Sequence, residues 1–440
     1  MDRENSTRTP EEIKAMSHQD ELQKKALELD KKDKLAHFRE QFEIGEEIYL
    51  DGNSLGRLPK KTVGLISEIT QIQWGKRLIR SWNEHWMELP SKVAAKIAQV
   101  VGAQADEIFV GDSTSINFYK LAFAALKFQE TKTRIITDSL NFPTDIYVLQ
   151  GLIEQQFKNH SLTIIQSADE QRISDEAISN ALDNETALLT LSHVVFKSAY
   201  MYDMHKINHL AHQNGALVLW DLSHSAGAVE VNLNESGADL AVGCTYKYLN
   251  GGPGAPAFLY VRKDLQEKLH NPIWGWFSHQ KPFDFTLNYE AKADIQRFSA
   301  GTPSVLSLAA IASGIDISLE AGMKNLREKS VSQTNYLIEL IENLLTPIGF
   351  TIASPTNSNE RGSHISIQHP EGYRINRAMI EPTNDSPVII PDFRPPNNIR
   401  LGIAPLYNTF EEIFRTIIRI KTIVETREFE RFGGERLEVV

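Results

Sequence analysis

One lysine of the chain has a setting that suits chemistry. Lys247 lies between Tyr246 and Tyr248, directly after an apolar run, and an Asn-Gly-Gly-Pro-Gly turn follows at residues 250–254. A partly desolvated lysine amine at the end of a strand can attack a carbonyl and form a Schiff base. The glycines would let the backbone approach a ligand closely. An ordinary surface lysine is the competing interpretation, because the chain has 46 lysines and arginines.

A carboxylate and a histidine precede this lysine at the end of another apolar run. Asp221 follows residues 216–220, ALVLW, where an unpaired charge would be costly. It could cap the segment that follows, or it could pair with a protonated pyridine nitrogen, as acidic residues do in pyridoxal-phosphate sites. His224 is close enough along the chain to share the same pocket, although a single histidine is more often structural. The spacing between Asp221 and Lys247 leaves room for one crossover and one strand.

Hydroxyl side chains open a predicted helix after the apolar run at residues 108–111. Residues 112–115 read DSTS, and apolar residues at helical spacing follow. Exposed backbone amides at the helix start, together with the hydroxyls of Thr114 and Ser115, would suit a phosphate group. Simple N-capping by Asp112, Ser113 or Thr114 explains the same residues equally well.

A phenylalanine with an aspartate behind it lies in the segment NFPTD, residues 141–145. Phe142 could stack on a flat ring, with Asp145 in the same wall of the site. A phenylalanine that follows a strand is more often part of the core, so this interpretation depends on support from elsewhere in the chain.

All of these residues follow short apolar runs that we predict to be buried strands. The runs alternate with amphipathic segments such as 144–157 and 203–215. This alternation predicts the α/β class, with a mainly parallel sheet wrapped by helices, and ligands bind such sheets at the carboxyl ends of the strands. The strands are expected at 108–111, 134–138, 162–166, 187–196, 216–223, 240–244 and 257–261.

The chain divides into three parts that differ in charge content and in the pattern of apolar residues. Residues 1–40 are rich in charge, which predicts a solvated helix or a partly disordered arm without a catalytic role. Residues 41–310 carry the alternating pattern of a large domain. Residues 311–440 begin with long helical patterns and continue with short strands and a terminal helix from Thr409, which predicts a small α+β domain.

Composition excludes several classes of protein. The 440 residues carry a net charge of −11 and no long basic block, so neither nucleic acid nor an anionic membrane is expected as a partner. The single cysteine, Cys244, rules out an intramolecular disulfide. The charged N-terminus lacks the pattern of a signal peptide, which favours the cytoplasm. No GxGxxG follows a strand, and this excludes a typical dinucleotide-binding dehydrogenase.

Several segments in this order resemble the kynureninases, a family of fold-type I pyridoxal-phosphate enzymes. The resemblance extends over essentially everything beyond the charged arm, and it implies a large domain with a mainly parallel seven-stranded sheet plus a small α+β C-terminal domain. The segments that carry it are YLDGNSLGRLP (49–59), DLSHSAG (221–227), CTYKYLNGGPG (244–254), GWFSH (275–279) and IRLGIAP (399–405).

The resemblance implies a role for each candidate residue. Lys247 would hold pyridoxal 5'-phosphate covalently, Asp221 would pair with its ring nitrogen, and Tyr246 would contact the phosphate and act as a proton donor. Arg400 would clamp the substrate α-carboxylate. The other residues that would line the cofactor are Thr114, Ser115, Phe142, Thr144, Asp145, Ser192 and His224, with Trp276 and Thr302 reaching it from the neighbouring subunit of a homodimer.

The activity implied is hydrolysis of L-kynurenine, or of 3-hydroxykynurenine, to the corresponding anthranilate and L-alanine in tryptophan degradation. No metal is needed. The alternatives are another fold-type I enzyme, namely an aminotransferase, a desulfurase or a β-elimination lyase, and a scaffold that has lost the cofactor. Desulfurases carry their reactive cysteine on a loop well after the lysine, whereas Cys244 precedes Lys247 and is predicted to be a small buried residue.

Overall fold

The structure is a computed structural model that describes residues 10–383 and 385–434, with side chains from residue 18 onward. The first nine residues of the predicted charged arm lie outside the described residues. The helices are α1 (Pro10–Lys32), α2 (Lys60–Glu68), α3 (Leu89–Val101), α4 (Thr114–Phe128), α5 (Pro143–Gln155), α6 (Asp175–Ala181), α7 (Met204–Gln213), α8 (Val305–Ala321), α9 (Met323–Leu340), α10 (Gly372–Ile380) and α11 (Phe410–Glu425).

The strands are short, as expected of strands that alternate with helices. They are β1 (Ile48–Tyr49), β2 (Ile108–Val110), β3 (Arg134–Asp138), β4 (Ser161–Ile165), β5 (Thr186–Ser192), β6 (Leu217–Asp221), β7 (Leu240–Gly243), β8 (Phe258–Val261), β9 (Thr351–Ile352), β10 (His364–Gln368), β11 (Ile389–Ile390), β12 (Asp392–Arg394) and β13 (Asn398–Gly402).

Within the described residues, seven strands form the large sheet in the order β2-β8-β7-β6-β5-β3-β4. β8 runs antiparallel to its neighbours β2 and β7, and the other neighbouring pairs are parallel. The predicted α/β class with a mainly parallel seven-stranded sheet is confirmed. Ser192 at the end of β5 is opposite Asp221 at the end of β6, so the register brings two of the predicted site residues to one edge.

The small lobe is built on an antiparallel sheet in the order β12-β13-β10-β9. In its register Arg400 of β13 is opposite both Ser366 of β10 and Asp392 of β12. Directly paired residues point to the same face of a sheet, so these three side chains share a face. α9, α10 and α11 contribute to the apolar core of the lobe, together with Ile48 of β1 and Leu50 directly after it.

The N-terminal helix packs against the small lobe along one face. Leu22 and Ala26 are buried in that core, and Lys25 forms an ion pair with Glu339 at 2.5 Å. The carboxylate of Asp30 accepts hydrogen bonds from the first two amides of α11 at 2.8 and 2.9 Å. The predicted helix is therefore present, but it is solvated on one face only.

The domain boundaries at residues 40 and 310 stay predictions. α8, which spans the second boundary, packs against α3 and α2 of the large domain, and Leu326 in α9 still belongs to the large core. This packing favours a second boundary later than residue 310.

Among the described residues, no single helix combines the length and apolar character needed to cross a membrane. One pair, α8 with the chain from Met323 to Ile348, is bent by 80° at its junction and has the length and composition of a broken span only when the two are taken together.

Candidate active site

Lys247 lies in the turn after β7, at the carboxyl end of the large sheet. Its Nζ lies 3.4 Å from Nε2 of His224 and 5.9 Å from the centre of the Tyr246 ring. Asn250 has a φ of 55°, in the left-handed region. Gly56 packs so closely that a Cβ there would lie 2.3 Å from the carbonyl oxygen of Lys247. The lysine is half-buried and lies in a tightly packed turn, unlike an ordinary surface lysine.

Two buried carboxylates interact with this lysine. Asp221 is 5% exposed and Asp145, in the first turn of α5, is 2% exposed. Burial raises the pKa of Asp221, and the hydrogen bonds from Ser223 and the positive charge of Lys247 oppose that rise. Burial and the negative charge of Asp221 raise the pKa of Asp145 well above its usual value. Asp145 Oδ2 is buried without a hydrogen-bond partner among the described groups, so it is available to a polar ligand atom.

Two histidines pack beside Lys247. His224 and His364 are both buried, and their ring centres lie 5.9 Å apart. Burial lowers the pKa of each imidazole well below its usual value, and the positive charges of Lys247 and Arg400 lower both further. Both rings are therefore neutral at pH 7. A neutral ring can pack against a flat ligand without adding a third positive charge to the site.

The segment DSTS, residues 112–115, lies at the N-terminus of helix α4, as predicted. Ser113 is the N-cap of α4, and its hydroxyl accepts a hydrogen bond from the amide of Ile116 at 3.4 Å. Thr114 and Ser115 are the first two residues of the helix and are half-buried. The N-cap at Ser113 is compatible with the phosphate interpretation, because it uses the amide of Ile116 and not those of Thr114 and Ser115. The phosphate interpretation stays a prediction.

Phe142 is not a core residue. Its side chain is 40% exposed, and its ring lies edge-on to Phe196 at 5.4 Å between centres. Thr144 is half-buried in the first turn of α5. Ser192 is buried and donates a hydrogen bond to Asn141 Oδ1 at 2.7 Å. The open face of Phe142 is consistent with a stacking role.

Arg400 is almost completely buried, at 1% exposure. Its Nε donates to Asp392 Oδ2 at 2.5 Å, its Nη1 donates to the carbonyl oxygen of Phe196 at 2.5 Å, and its Nη2 lies 3.2 Å from Ser54 Oγ. Phe196 belongs to the loop after β5, so the arginine joins the small lobe to the large sheet. The guanidinium is anchored along its Nε edge by a carboxylate.

Among the described contacts, none joins Trp276 or Thr302 to Lys247. Both are exposed, and the ring of Trp276 packs against Phe277, Phe283 and Phe285. The two lie on neighbouring segments, since a Cβ on Gly275 would lie 1.9 Å from the carbonyl oxygen of Ala300.

Three polar residues of this region did not figure in the sequence predictions. Asp392 anchors Arg400, and His364 packs against His224. Burial and the charge of Asp392 raise the pKa of Asp51 to about 6. His364 and Asp392 lie in short strands whose pairing with β13 is not visible in the sequence. Asp51 lies in the segment YLDGNSLGRLP, residues 49–59. Its position between an apolar run and a glycine could have indicated a site residue.

Two bacterial kynureninases are similar to this chain over most of its length. The kynureninase of Pseudomonas fluorescens is 40% identical over 407 residues, which cover 91% of this chain and 95% of that protein. The kynureninase of Burkholderia mallei (strain SAVP1) is 39% identical with the same coverage. The chain belongs to the kynureninase family. A model of the kynureninase C-terminal domain matches residues 326–420, which form most of the small lobe of this family member.

Solved structures with lower identity share the fold. The apo cysteine desulfurase of Thermococcus onnurineus has a TM-score of 0.73 at 20% identity and covers 87% of this chain and 95% of its own. A C-DES mutant with glycine covalently linked to its PLP cofactor has a TM-score of 0.75 at 17% identity, with 87% and 98% covered. These likenesses place the kynureninase-family chain in the fold of pyridoxal-phosphate enzymes and say nothing further of its substrate.

Proposed function

We propose that this chain hydrolyses L-kynurenine, or its 3-hydroxy derivative, to the corresponding anthranilate and L-alanine, with pyridoxal 5'-phosphate as cofactor. The 40% identity to a kynureninase over nearly the full length of both chains carries the proposal. In this reaction the Cβ–Cγ bond breaks, the hydroxyl of water joins the Cγ carbonyl carbon, and a hydrogen joins Cβ.

The residues around Lys247 fit this cofactor. The buried and unpartnered Oδ2 of Asp145 is available to hydrogen-bond a polar atom of the cofactor. A protonated ring nitrogen would stabilise the carboxylate of Asp221, which burial otherwise disfavours. The helix start at Thr114 and Ser115 suits a phosphate. Phe142 offers its open face to a flat ring.

The chain's own groups would then handle protons and orientation. Bound pyridoxal phosphate supplies an electron sink for the bonds at the Cα of the amino acid. Lys247 would move the proton at Cα. Burial raises the pKa of Tyr246, so the phenol keeps its proton at neutral pH and would donate it at Cβ. Arg400 would bind the α-carboxylate through a charge-assisted hydrogen bond. Asp392 and Phe196 already accept from its Nε and Nη1, so only the remaining guanidinium N–H groups are available to the substrate.

We propose that a homodimer completes the site, with Trp276 and Thr302 facing the cofactor of the other subunit. The exposure of apolar side chains in this region supports this: Trp276 itself is 41% exposed, and Trp74 is 59% exposed. A cavity of about 420 Å³ is lined by Trp74, Trp86 and Leu306, and also by Pro303, which follows Thr302 in the chain. Clustered exposed apolar residues of this kind mark interaction surfaces. Light scattering should give twice the chain mass, and a fully active monomer would contradict the proposal.

We also propose a cytoplasmic location. The single cysteine supports it, since a chain with no disulfide framework gains nothing from an oxidising compartment. Fractionation of cells that express the tagged chain tests it, and recovery in an exported fraction would contradict it.

The reaction is tested directly with purified protein and pyridoxal phosphate. L-Kynurenine should give fluorescent anthranilate and an equal amount of alanine, without any added keto acid. Consumption only in the presence of a keto-acid acceptor would replace the proposal with an aminotransferase. Parallel assays with 3-hydroxykynurenine rank the two substrates by kcat/KM.

A desulfurase activity is disfavoured by the one thiol of the chain. Cys244 is 2% exposed, and burial raises the pKa of its thiol. A buried protonated thiol is a poor nucleophile. Adding cysteine should therefore yield no sulfide and no persulfide on Cys244.

A further inference from the structure

Lys120, on α4, is a fully buried lysine to which the proposed reaction gives no role. Its side chain has no exposed surface, and its Nζ lies 2.5 Å from Asp112 Oδ2 and 2.7 Å from the carbonyl oxygen of Phe298. The Phe109 ring centre lies 5.2 Å from the same atom. Burial lowers the pKa of Lys120 and the charge of Asp112 opposes this. Lysines are almost never fully buried unless they are paired, so these contacts call for an explanation.

The contact between Lys120 and Asp112 fixes the turn that precedes α4. Asp112 has a φ of 55°, which residues with side chains seldom adopt. The backbone around it is tied down as well: Ala257 donates to the Asp112 carbonyl at 2.8 Å, and Asn117 Nδ2 donates to the Gly111 carbonyl at 2.8 Å. Lys120 supplies the side-chain contact that holds Asp112 in this conformation, immediately ahead of Thr114 and Ser115.

The second contact fixes a segment that leads to the proposed subunit interface. Phe298 is buried and ends a short 3-10 helix, after which residues 299–302 run to the exposed Thr302. Ala300 in this segment packs against Gly275, next to Trp276. One ammonium group thus touches both the turn that would receive the cofactor of its own subunit and the segment that would face the cofactor of the other.

We propose that Lys120 is a positioning residue that holds these two segments together, so that cofactor binding and dimer formation stabilise each other. The inference rests on the proposed function, because it takes Thr114 and Ser115 as the phosphate site. Linkage requires the effect to be reciprocal: the dimer binds pyridoxal phosphate more tightly, and pyridoxal phosphate tightens the dimer by the same factor, about 5- to 150-fold for a typical coupling.

The test compares full-length wild type with Lys120→Met, which keeps an unbranched side chain and removes the ammonium. The exposed Lys127, on the same helix, gives the matched control Lys127→Met. Pyridoxal phosphate is titrated into each apoprotein by absorbance, and the dimer dissociation constant is measured by sedimentation with and without it. Lys120→Met should weaken cofactor binding at least about tenfold and abolish the tightening of the dimer, while Lys127→Met matches wild type.

A lower melting temperature of the Lys120→Met apoprotein, with unchanged cofactor affinity and unchanged coupling, would overturn the inference and leave Lys120 a purely structural residue. If Lys120→Met does not fold, the double variant Lys120→Met/Asp112→Asn, which leaves neither charge unpaired, is judged by the same two measurements. Wild type that binds no pyridoxal phosphate would instead overturn the proposed function, and this inference with it.

Discussion

The groups around Lys247 owe their charge states to burial and to one another. Asp145 and Asp221 are both shielded from solvent and compete for one positive neighbour. His224 and His364 are neutral because burial and the nearby cations disfavour a further positive charge. The site is therefore prepared for a ligand that brings its own positive ring nitrogen and negative phosphate.

Replacement of Lys247 with alanine should remove the yellow absorbance of the bound cofactor and nearly all turnover. The amine is the only lysine nitrogen in hydrogen-bond range of His224 among the described contacts, and loss of a proton-transferring group costs roughly 10²- to 10⁴-fold in rate. Absorbance and anthranilate fluorescence measure the two effects. Lys158→Ala, at an exposed position, is the control, and near wild-type turnover of Lys247→Ala would refute the role.

Asp392→Asn should raise the KM for kynurenine about 10- to 100-fold with a smaller change in kcat. Asp392 holds the Nε edge of Arg400, and a hydrogen bond to a charged group contributes roughly 1.5–3 kcal/mol. Steady-state kinetics separate KM from kcat. Asp316→Asn, which removes an ion pair on the exposed side of α8, should leave both unchanged. An unaltered KM in Asp392→Asn would show that Arg400 is oriented without it.

At the scale of elements, the site is made where strands and helices end. Asp221 ends β6, Thr114 begins α4, and Asp145 lies in the first turn of α5. Parallel strands bring their carboxyl ends to one edge, and helices that return from that edge present their N-terminal amides to it. The small lobe adds Arg400 from the middle of a paired strand, where its position is fixed by the neighbours on both sides.

Asp30→Ala should lower the free energy of unfolding by about 1 kcal/mol. Asp30 accepts hydrogen bonds from the first two amides of α11, and loss of an N-terminal cap typically costs about that much. Urea unfolding monitored by circular dichroism measures the change. Asp20→Ala, at an exposed position of α1, is the control. An Asp30→Ala variant as stable as this control would mean that α1 does not cap α11 in solution.

At the scale of the whole molecule, the small lobe and the large sheet meet at the site. Arg400 bonds to Phe196, and Ser366 donates to the carbonyl oxygen of Lys197. Both acceptors lie in the loop after β5. The two lobes are therefore joined by buried polar contacts at the place where substrate would bind. A substitution that displaces either lobe should change the geometry of these contacts.

The pH dependence of global stability should include a contribution from Asp138. This carboxyl group is 1% exposed and burial raises its pKa to about 6. Because the pKa is higher in the folded state, the stability that it contributes is fully present below the unfolded pKa of about 3.9 and is lost as pH rises through about 6. Between pH 5 and pH 7, the free energy of unfolding of wild type should fall by roughly 1 kcal/mol more than that of Asp138→Asn. Urea unfolding of both proteins at each pH measures this, and parallel curves would contradict it.

Much of the fold could be predicted because it depends on local pattern. The alternation of apolar runs and amphipathic segments was sufficient for the α/β class, and the motifs around Asp221, Lys247 and Arg400 were sufficient for the family. Ser192 ends β5, and Asp145 and His224 follow the carboxyl ends of β3 and β6. The rule that ligands bind at the carboxyl ends of parallel strands predicts these positions. The burial of Cys244 followed from its place in an apolar run and is confirmed.

The sequence by itself determined which residues we propose for the chemistry and which elements present them, because short stretches of chain were sufficient for both. Only the tertiary structure decided their partners. Lys120 meets Phe298 across 178 residues, His364 meets His224, and α1 packs on a lobe formed mostly by the end of the chain. Contacts of this kind depend on strand pairing and lobe packing, and burial then sets the charge states that the sequence leaves open. The sequence around Lys247 was sufficient to single out this residue, whereas its packing against Gly56 and His224 depends on the tertiary structure.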